Sequence, residues 1–316
     1  MPATLSGDGL NAPANPAISV FTPIYNGVEY LRRCWDNLRH QTLSDWEWVV
    51  VDDGSTDRTS ELVEGFDDPR VRFLTYQPNR GRGYARMRGL ELCLGDWVVV
   101  WDVDDLHCPD RLARIDEARR AGYDFWCSYA AIADSGPEIF TFGGFLPRNG
   151  ILPPGFLHAT LACRRDLALA IGYDQQVGRG VQPFLEAAED RTLMVTLAAK
   201  YQGLFLQDVL TLYVADREVS AERSIACHRS ARRQLNQMIL AGVLKPGWRQ
   251  KCMLDVFFLV KLTALIILRL VPAWYPALRR MRVPSYGTIS PGWVLAPERC
   301  QALRDLADKA SEGSTD

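Results

Sequence analysis

Asp102-Val103-Asp104-Asp105 places three carboxylates within four positions. In a partly dry loop such a cluster repels itself unless protons or a cation neutralise it. Oxygen-only ligands suit a hard divalent ion, Mn2+ or Mg2+, which takes one or two carboxylates and completes its shell with phosphate and water. The plainer alternative is a solvated acidic turn capping the next helix. Upstream, Arg80, Arg82 and Arg86 follow Asn79 in a glycine-spaced stretch, and guanidinium forks match the oxygens of a diphosphate. Gly81-x-Gly83-x-x-Arg86 lacks the third glycine of a dinucleotide fingerprint and does not follow the first strand, which tells against a nicotinamide enzyme.

Positioning these charges requires an α/β frame. Residues 18–22 form an apolar run that predicts a buried strand. Val28, Leu31, Trp35 and Leu38 then share one face of a helix over 28–40. Residues 46–52 predict a second strand, and Asp53 to Asp57 supply turn and cap chemistry for a helix starting near Asp57. A third strand is expected at 71–75, a helix at 83–94, and a fully buried strand at 97–101 that stops at Asp102. Alternation of strand and helix implies a mostly parallel sheet flanked by helices. Both acidic clusters, Asp52-Asp53 and Asp102 to Asp105, then fall at carboxyl ends of strands, where open sheets of this kind bind ligands. Pro109 suits the first position of a further helix. Beyond it the pattern is mixed: 157–163 is strand-like and 186–200 helical.

The runs Ile18-Ser-Val-Phe-Thr-Pro-Ile-Tyr-Asn-Gly27, Val50-Val-Asp-Asp-Gly-Ser-Thr-Asp57, Asn79-Arg-Gly-Arg-Gly-Tyr-Ala-Arg86 and Asp102-Val-Asp-Asp105, in that order, resemble glycosyltransferase family 2 over residues 18 to roughly 215. The resemblance implies the Rossmann-like fold called GT-A and an inverting transfer of sugar from a nucleotide donor. It implies that Pro23 and Tyr25 lie along the base and that Asp53 accepts the base's ring N–H. A carboxylate there suits uracil and thymine alike, so UDP- and dTDP-sugars both remain as donors. Asp104 matches the direct metal ligand of the family's D-x-D, with Asp102 and Asp105 on the ribose, a metal-bound water or the metal. Glu189-Asp190 matches its E-D motif and makes Asp190 the catalytic base. His158 falls where relatives line the sugar pocket. Met87 stands where the family pattern usually has Asn. A phosphoryl-transfer enzyme using an aspartate nucleophile would want its D-x-D on the first strand rather than the fourth. A module keeping the fold without turnover is the other alternative.

The 316 residues allow one large domain plus an appendage, and 47% hydrophobic with 23% charged residues is a globular composition. A net charge of -2 gives no reason to expect a nucleic-acid partner. That average conceals an asymmetry: residues 229–282 carry eleven Lys or Arg against the single acid Asp255, a net +10. Between Met253 and Val271 the chain is apolar apart from Asp255, Lys261, Thr263 and Arg269, and its three charges fall on one narrow helical arc. Such internal charges disfavour a spanning helix. Trp248 and Trp274 near the ends, with flanking arginines, instead suit a helix lying in an anionic membrane surface. A cover over the catalytic domain and a dimer interface are the alternatives. Eight cysteines without a C-x-x-C pair, and a small, polar start from Met1 to Asn15, suggest reduced thiols in a cytoplasmic protein held peripherally at the membrane. The expected organisation is a disordered tail over 1–17, a catalytic domain over 18–225 and a basic helical region over 226–316. The acceptor expected is a polysaccharide, cell-envelope or lipid-linked hydroxyl.

Overall fold

The computed structural model describes residues 4–6, 16–133, 139–143, 156–173, 189–214, 221–270 and 297–312. Strands β2 (Ile18–Ile24), β3 (Trp46–Asp52), β4 (Val71–Thr75) and β5 (Trp97–Val100) pair in parallel in the order β4-β3-β2-β5. The helices α1 (Val28–Arg39), α2 (Thr59–Glu64) and α3 (Arg82–Leu92) connect them. Side chains alternate across this half of the sheet. Trp46, Trp48 and Val50 point to one core with Leu31 and Leu38 of α1, while Val49 and Val51 point to the other with Leu90 of α3. Burial on both faces explains why these strands read as unbroken apolar runs. The exception is Glu47, fully buried in β3, whose carboxylate accepts from the Ser19 hydroxyl at 2.5 Å and from Arg72 Nη1 at 3.1 Å.

The rest of the sheet is mixed in direction. A short β6 (Leu106–His107) precedes α4 (Arg111–Arg120), β7 (Phe125–Ala133) and β8 (Ile139–Gly143). After a single 3-10 turn at His158–Thr160 come β9 (Ala162–Arg164), α5 (Arg165–Ile171), α6 (Arg191–Lys200) and β10 (Gly203–Val214). β9 runs antiparallel to β5 and β7, β10 is parallel to β7, and β6 is antiparallel to β10. The strand-like 157–163 therefore resolves into a turn and a short strand. The Thr160 hydroxyl and backbone N–H both bond back to Leu157 O and close the turn. The expected disordered tail also needs correcting in part. Thr4–Ser6 forms β1, antiparallel to β4, whose outer edge otherwise leaves a row of backbone groups unpaired.

Helices α7 (Ala221–Leu240) and α8 (Trp248–Leu270) form an antiparallel pair, joined through Ala231, Leu235, Met238, Leu254 and Phe258. Val195 of α6 packs against that cluster, while Leu193 and Leu197 of α6 face the sheet. The last helix, α9 (Pro297–Glu312), returns to the sheet: Leu303 and Leu306 enter the main core, and Arg299 bonds both Asp110 and Asp208. The basic segment beyond residue 270 lies outside the described residues up to 296.

Candidate active site

The parallel register aligns Ile24 with Asp52 and Asp52 with Thr75, while Phe21 sits opposite Val100. The carboxyl ends of β2, β3 and β5 therefore share one edge, which brings the loops carrying Tyr25, Asp53 and Asp102 together as expected. Asp52 fixes the turn, accepting from Ser55 N–H at 2.8 Å and from the Ser60 hydroxyl at 2.5 Å. Asn26 Oδ1 accepts Thr56 N–H at 2.8 Å and so ties the first loop to the second. Gly54 has φ of +80°, and a Cβ there would lie 2.7 Å from Asn79 N, so the second loop presses on the third. Pro23 and Tyr25 are only partly buried at the end of β2, in reach of a ligand at this edge.

Asp53 is buried, and its two oxygens accept Arg80 N–H at 2.7 Å and Gly81 N–H at 2.8 Å. Burial raises its pKa, and these N–H groups act in the opposite direction. Each carboxylate oxygen keeps a second lone pair, so the carboxylate can shape the arginine loop and still accept from a ring N–H. Arg80 is exposed, with its guanidinium 4.9 Å from the Tyr84 ring centre and bonded to the Tyr84 hydroxyl.

Arg86 is buried between two acids: Nη2 donates to Asp102 Oδ1 at 3.0 Å and Nη1 to Glu189 Oε1 at 2.5 Å. Burial opposes its charge, but Asp102 and Glu189 more than offset this and hold it firmly protonated. The fork of Arg86 is occupied by these two carboxylates. Arg82, half exposed with Nε 3.6 Å from Glu189 Oε1, is the guanidinium at the mouth. Met87 meets Tyr173, whose backbone N–H points to its sulfur at 3.2 Å.

In the acidic loop, Asp105 N–H closes a turn onto Asp102 O at 3.2 Å. Asp104 is partly buried, and its carboxyl is pushed up to about 6 by burial and then by the Asp102 charge. Asp105 is buried, and its charge falls on Arg111, itself fully buried with Nη2 on Ala159 O at 2.9 Å. Among the described residues no three His, Cys, Asp or Glu side chains converge on a metal position. Within the loop Asp102 bonds Arg86, and Asp105 is buried. Asp104, raised by burial and by the charge of Asp102, with the partly exposed Asp102 beside it, fits a divalent ion held by one or two carboxylates with phosphate and water completing its shell.

Asp190 precedes α6 without a side-chain bond to the helix's first N–H groups, and its carboxyl is pushed up by burial and then by the adjacent Glu189. His158 Nδ1 lies 3.9 Å from Asp190 Oδ2, and His158 Nε2 is 2.9 Å from the Tyr173 hydroxyl. Burial, aided by the charges of Arg86 and Arg82, holds this imidazole well below its usual pKa and so neutral. Arg111, His107 and Tyr173 escaped sequence reasoning. Arg111 reads as an exposed helix residue, yet it supports the acidic loop from below, with Nη1 2.9 Å from His107 Nδ1.

A parallel first half, a mixed second half and an acidic loop after β5 define the GT-A fold. Residues 19–140 match the model of glycosyl transferase family 2. The succinoglycan biosynthesis protein ExoO of Rhizobium meliloti is 39% identical over 117 residues, which are 36% of this chain and 34% of that protein. The chain thus spans about a third of the length of such curated relatives. Among solved structures, TarS of S. aureus in complex with UDP is 21% identical with a TM-score of 0.53, over 69% of this chain and 65% of that one. The mannosyltransferase PcManGT of Pyrobaculum calidifontis, in complex with GDP-Man and Mn2+, is 18% identical with a TM-score of 0.52, over 86% and 91%.

Proposed function

We propose that the chain is an inverting, metal-dependent glycosyltransferase that moves a sugar from a UDP- or dTDP-sugar to a hydroxyl of a polysaccharide, cell-envelope or lipid-linked acceptor. The observation that carries this reading is the Arg86 bridge, which holds the acid pair at 189–190 beside the acidic loop at 102–105. A base and an anion-charge site are thereby held at one crevice.

The residues divide the work. Asp53 accepts from the base while its loop shapes the arginine stretch, and Pro23 and Tyr25 flank the base. Arg82 meets the diphosphate. Asp104, with Asp102, would hold Mn2+ or Mg2+, which when bound neutralises charge building on the leaving nucleoside diphosphate. Asp190, poised by its raised pKa, takes the proton of the acceptor hydroxyl as that oxygen bonds to the anomeric carbon. The bond to the diphosphate oxygen breaks on the opposite side, and the centre inverts. His158 presents its neutral ring to the same carboxylate and orients it. The ExoO relative is named for succinoglycan biosynthesis and the TarS structure holds UDP, which supports a polysaccharide acceptor and a uridine donor.

The test is a screen of UDP- and dTDP-sugars for release of nucleoside diphosphate with Mn2+ or Mg2+, on the wild type, Asp104→Asn and Asp190→Asn. Release that both variants retain in full would overturn these roles.

A further inference from the structure

A helix lying on a soluble protein points its charges outward and its apolar side chains inward. Helix α8 does the reverse. Two of its charged residues pair with α7: Asp255 with Arg232, and Arg269, whose Nε lies 3.0 Å from Glu222 Oε1. Leu254, Phe258 and Leu265 complete the inward face, where Phe258 O accepts from His228 Nε2 at 2.8 Å. The outward side, roughly half the circumference at 3.6 residues per turn, presents Met253, Val256, Phe257, Val260, Ile267 and Leu270 over five turns of helix. Phe257 is 58% and Val260 62% exposed. No described helix is long and apolar enough to cross a membrane.

The charge around this face selects its occupant. Lys245, Arg249 and Lys251 form an exposed basic segment at the start of α8 beside the exposed Trp248. Two copies meeting through α8 would bring two such segments together, whereas an anionic lipid surface complements them. We propose that α8 lies flat in an anionic bilayer surface, with its outward apolar side among the acyl chains and its basic end on the headgroups. Val195 of α6, the helix that begins just after Asp190, packs on the inward side of the α7–α8 pair and so links the candidate site to the helix pair. The docking stands apart from the transfer chemistry, so either can fail alone.

The full chain is sedimented with vesicles of phosphatidylcholine alone and of phosphatidylcholine with about a third phosphatidylglycerol, the anionic vesicles being favoured roughly tenfold. Phe257→Glu combined with Val260→Glu should abolish uptake while leaving the melting temperature unchanged, both side chains being exposed. Should that variant fail to fold, Lys245→Glu with Arg249→Glu carries the test, and it should lose anionic-vesicle uptake alone. Equal uptake by both vesicle types, no uptake by either, or a stable dimer that Phe257→Glu with Val260→Glu converts to monomer without any vesicle binding would each overturn the proposal.

Discussion

Replacing Asp104 by Asn should stabilise the metal-free protein at the expense of its nucleotide-dependent stabilisation. In the fold the Asp104 carboxyl is pushed up from 3.8 to about 6 by burial and by the charge of Asp102. Each pKa unit corresponds to about 1.4 kcal/mol, so the ionised form costs the fold up to about 3 kcal/mol. Partial exposure lets solvent screen this charge, which leaves about 1 kcal/mol and a melting shift of roughly 2 to 4 °C in a chain of this size. A carboxyl whose folded pKa lies above its unfolded one destabilises the fold when ionised. The penalty is full above the folded value near 6 and vanishes as pH falls below the unfolded one near 4. Thermal melts in chelator should therefore show Asp104→Asn above wild type near pH 8, on the order of these few degrees, with the two converging near pH 4. With Mn2+ and UDP added, only the wild type should gain. An Asn variant melting below wild type in chelator at the alkaline end would refute the idea that this carboxylate is strained without a cation.

Asp190→Asn should lower turnover by about two to four orders of magnitude, with donor affinity nearly unchanged in a calorimetric titration. The wild-type rate should fall on acidification at a pH above that of an ordinary carboxylate, because the base must be ionised and burial raises its pKa. Arg86→Ala strands Glu189 and should cost about 3 to 5 kcal/mol in denaturant unfolding; an unchanged midpoint would remove the bridge from its structural role. Gly54→Ala forces a Cβ onto the Asn79 backbone at positive φ, and a loss of about 1 to 3 kcal/mol is expected, read by urea titration.

The parallel half was legible because β3 and β5 are buried on both faces and α1 is one-sided, patterns that a linear reading detects. Asp53 directly follows β3 and Asp104 lies in the loop beyond β5, so their place at the carboxyl edge was legible from the strands, while the role of each was implied only by the family resemblance. What pattern could not supply was pairing across distance. The order of β6, β7, β9 and β10 depends on contacts between segments far apart in the chain, and nothing local distinguishes β9, three residues long, from a loop. Nor does a count of acids show how each is oriented: Asp105 is buried, where its charge acts on Arg111, a residue that reads locally as an ordinary helix position. The wide apolar arc of α8 was visible in its periodicity, but which side faced the protein was decided only by the partners of Asp255 and Arg269 on α7.

The return of α9 to the sheet bears on how this chain can be shortened. With Leu303 and Leu306 in the main core and Arg299 clamped between Asp110 and Asp208, the final helix is a cornerstone of the domain that begins at the other end of the sequence. Cutting the protein after α7 to strip away its lipid-facing helix would also pull that stone from the wall, baring apolar surface beside the loop that follows β6. A trimmed protein that no longer floats with vesicles would then report damage to the catalytic body as readily as a lost anchor, so exposed single-residue changes on α8 are the cleaner instrument.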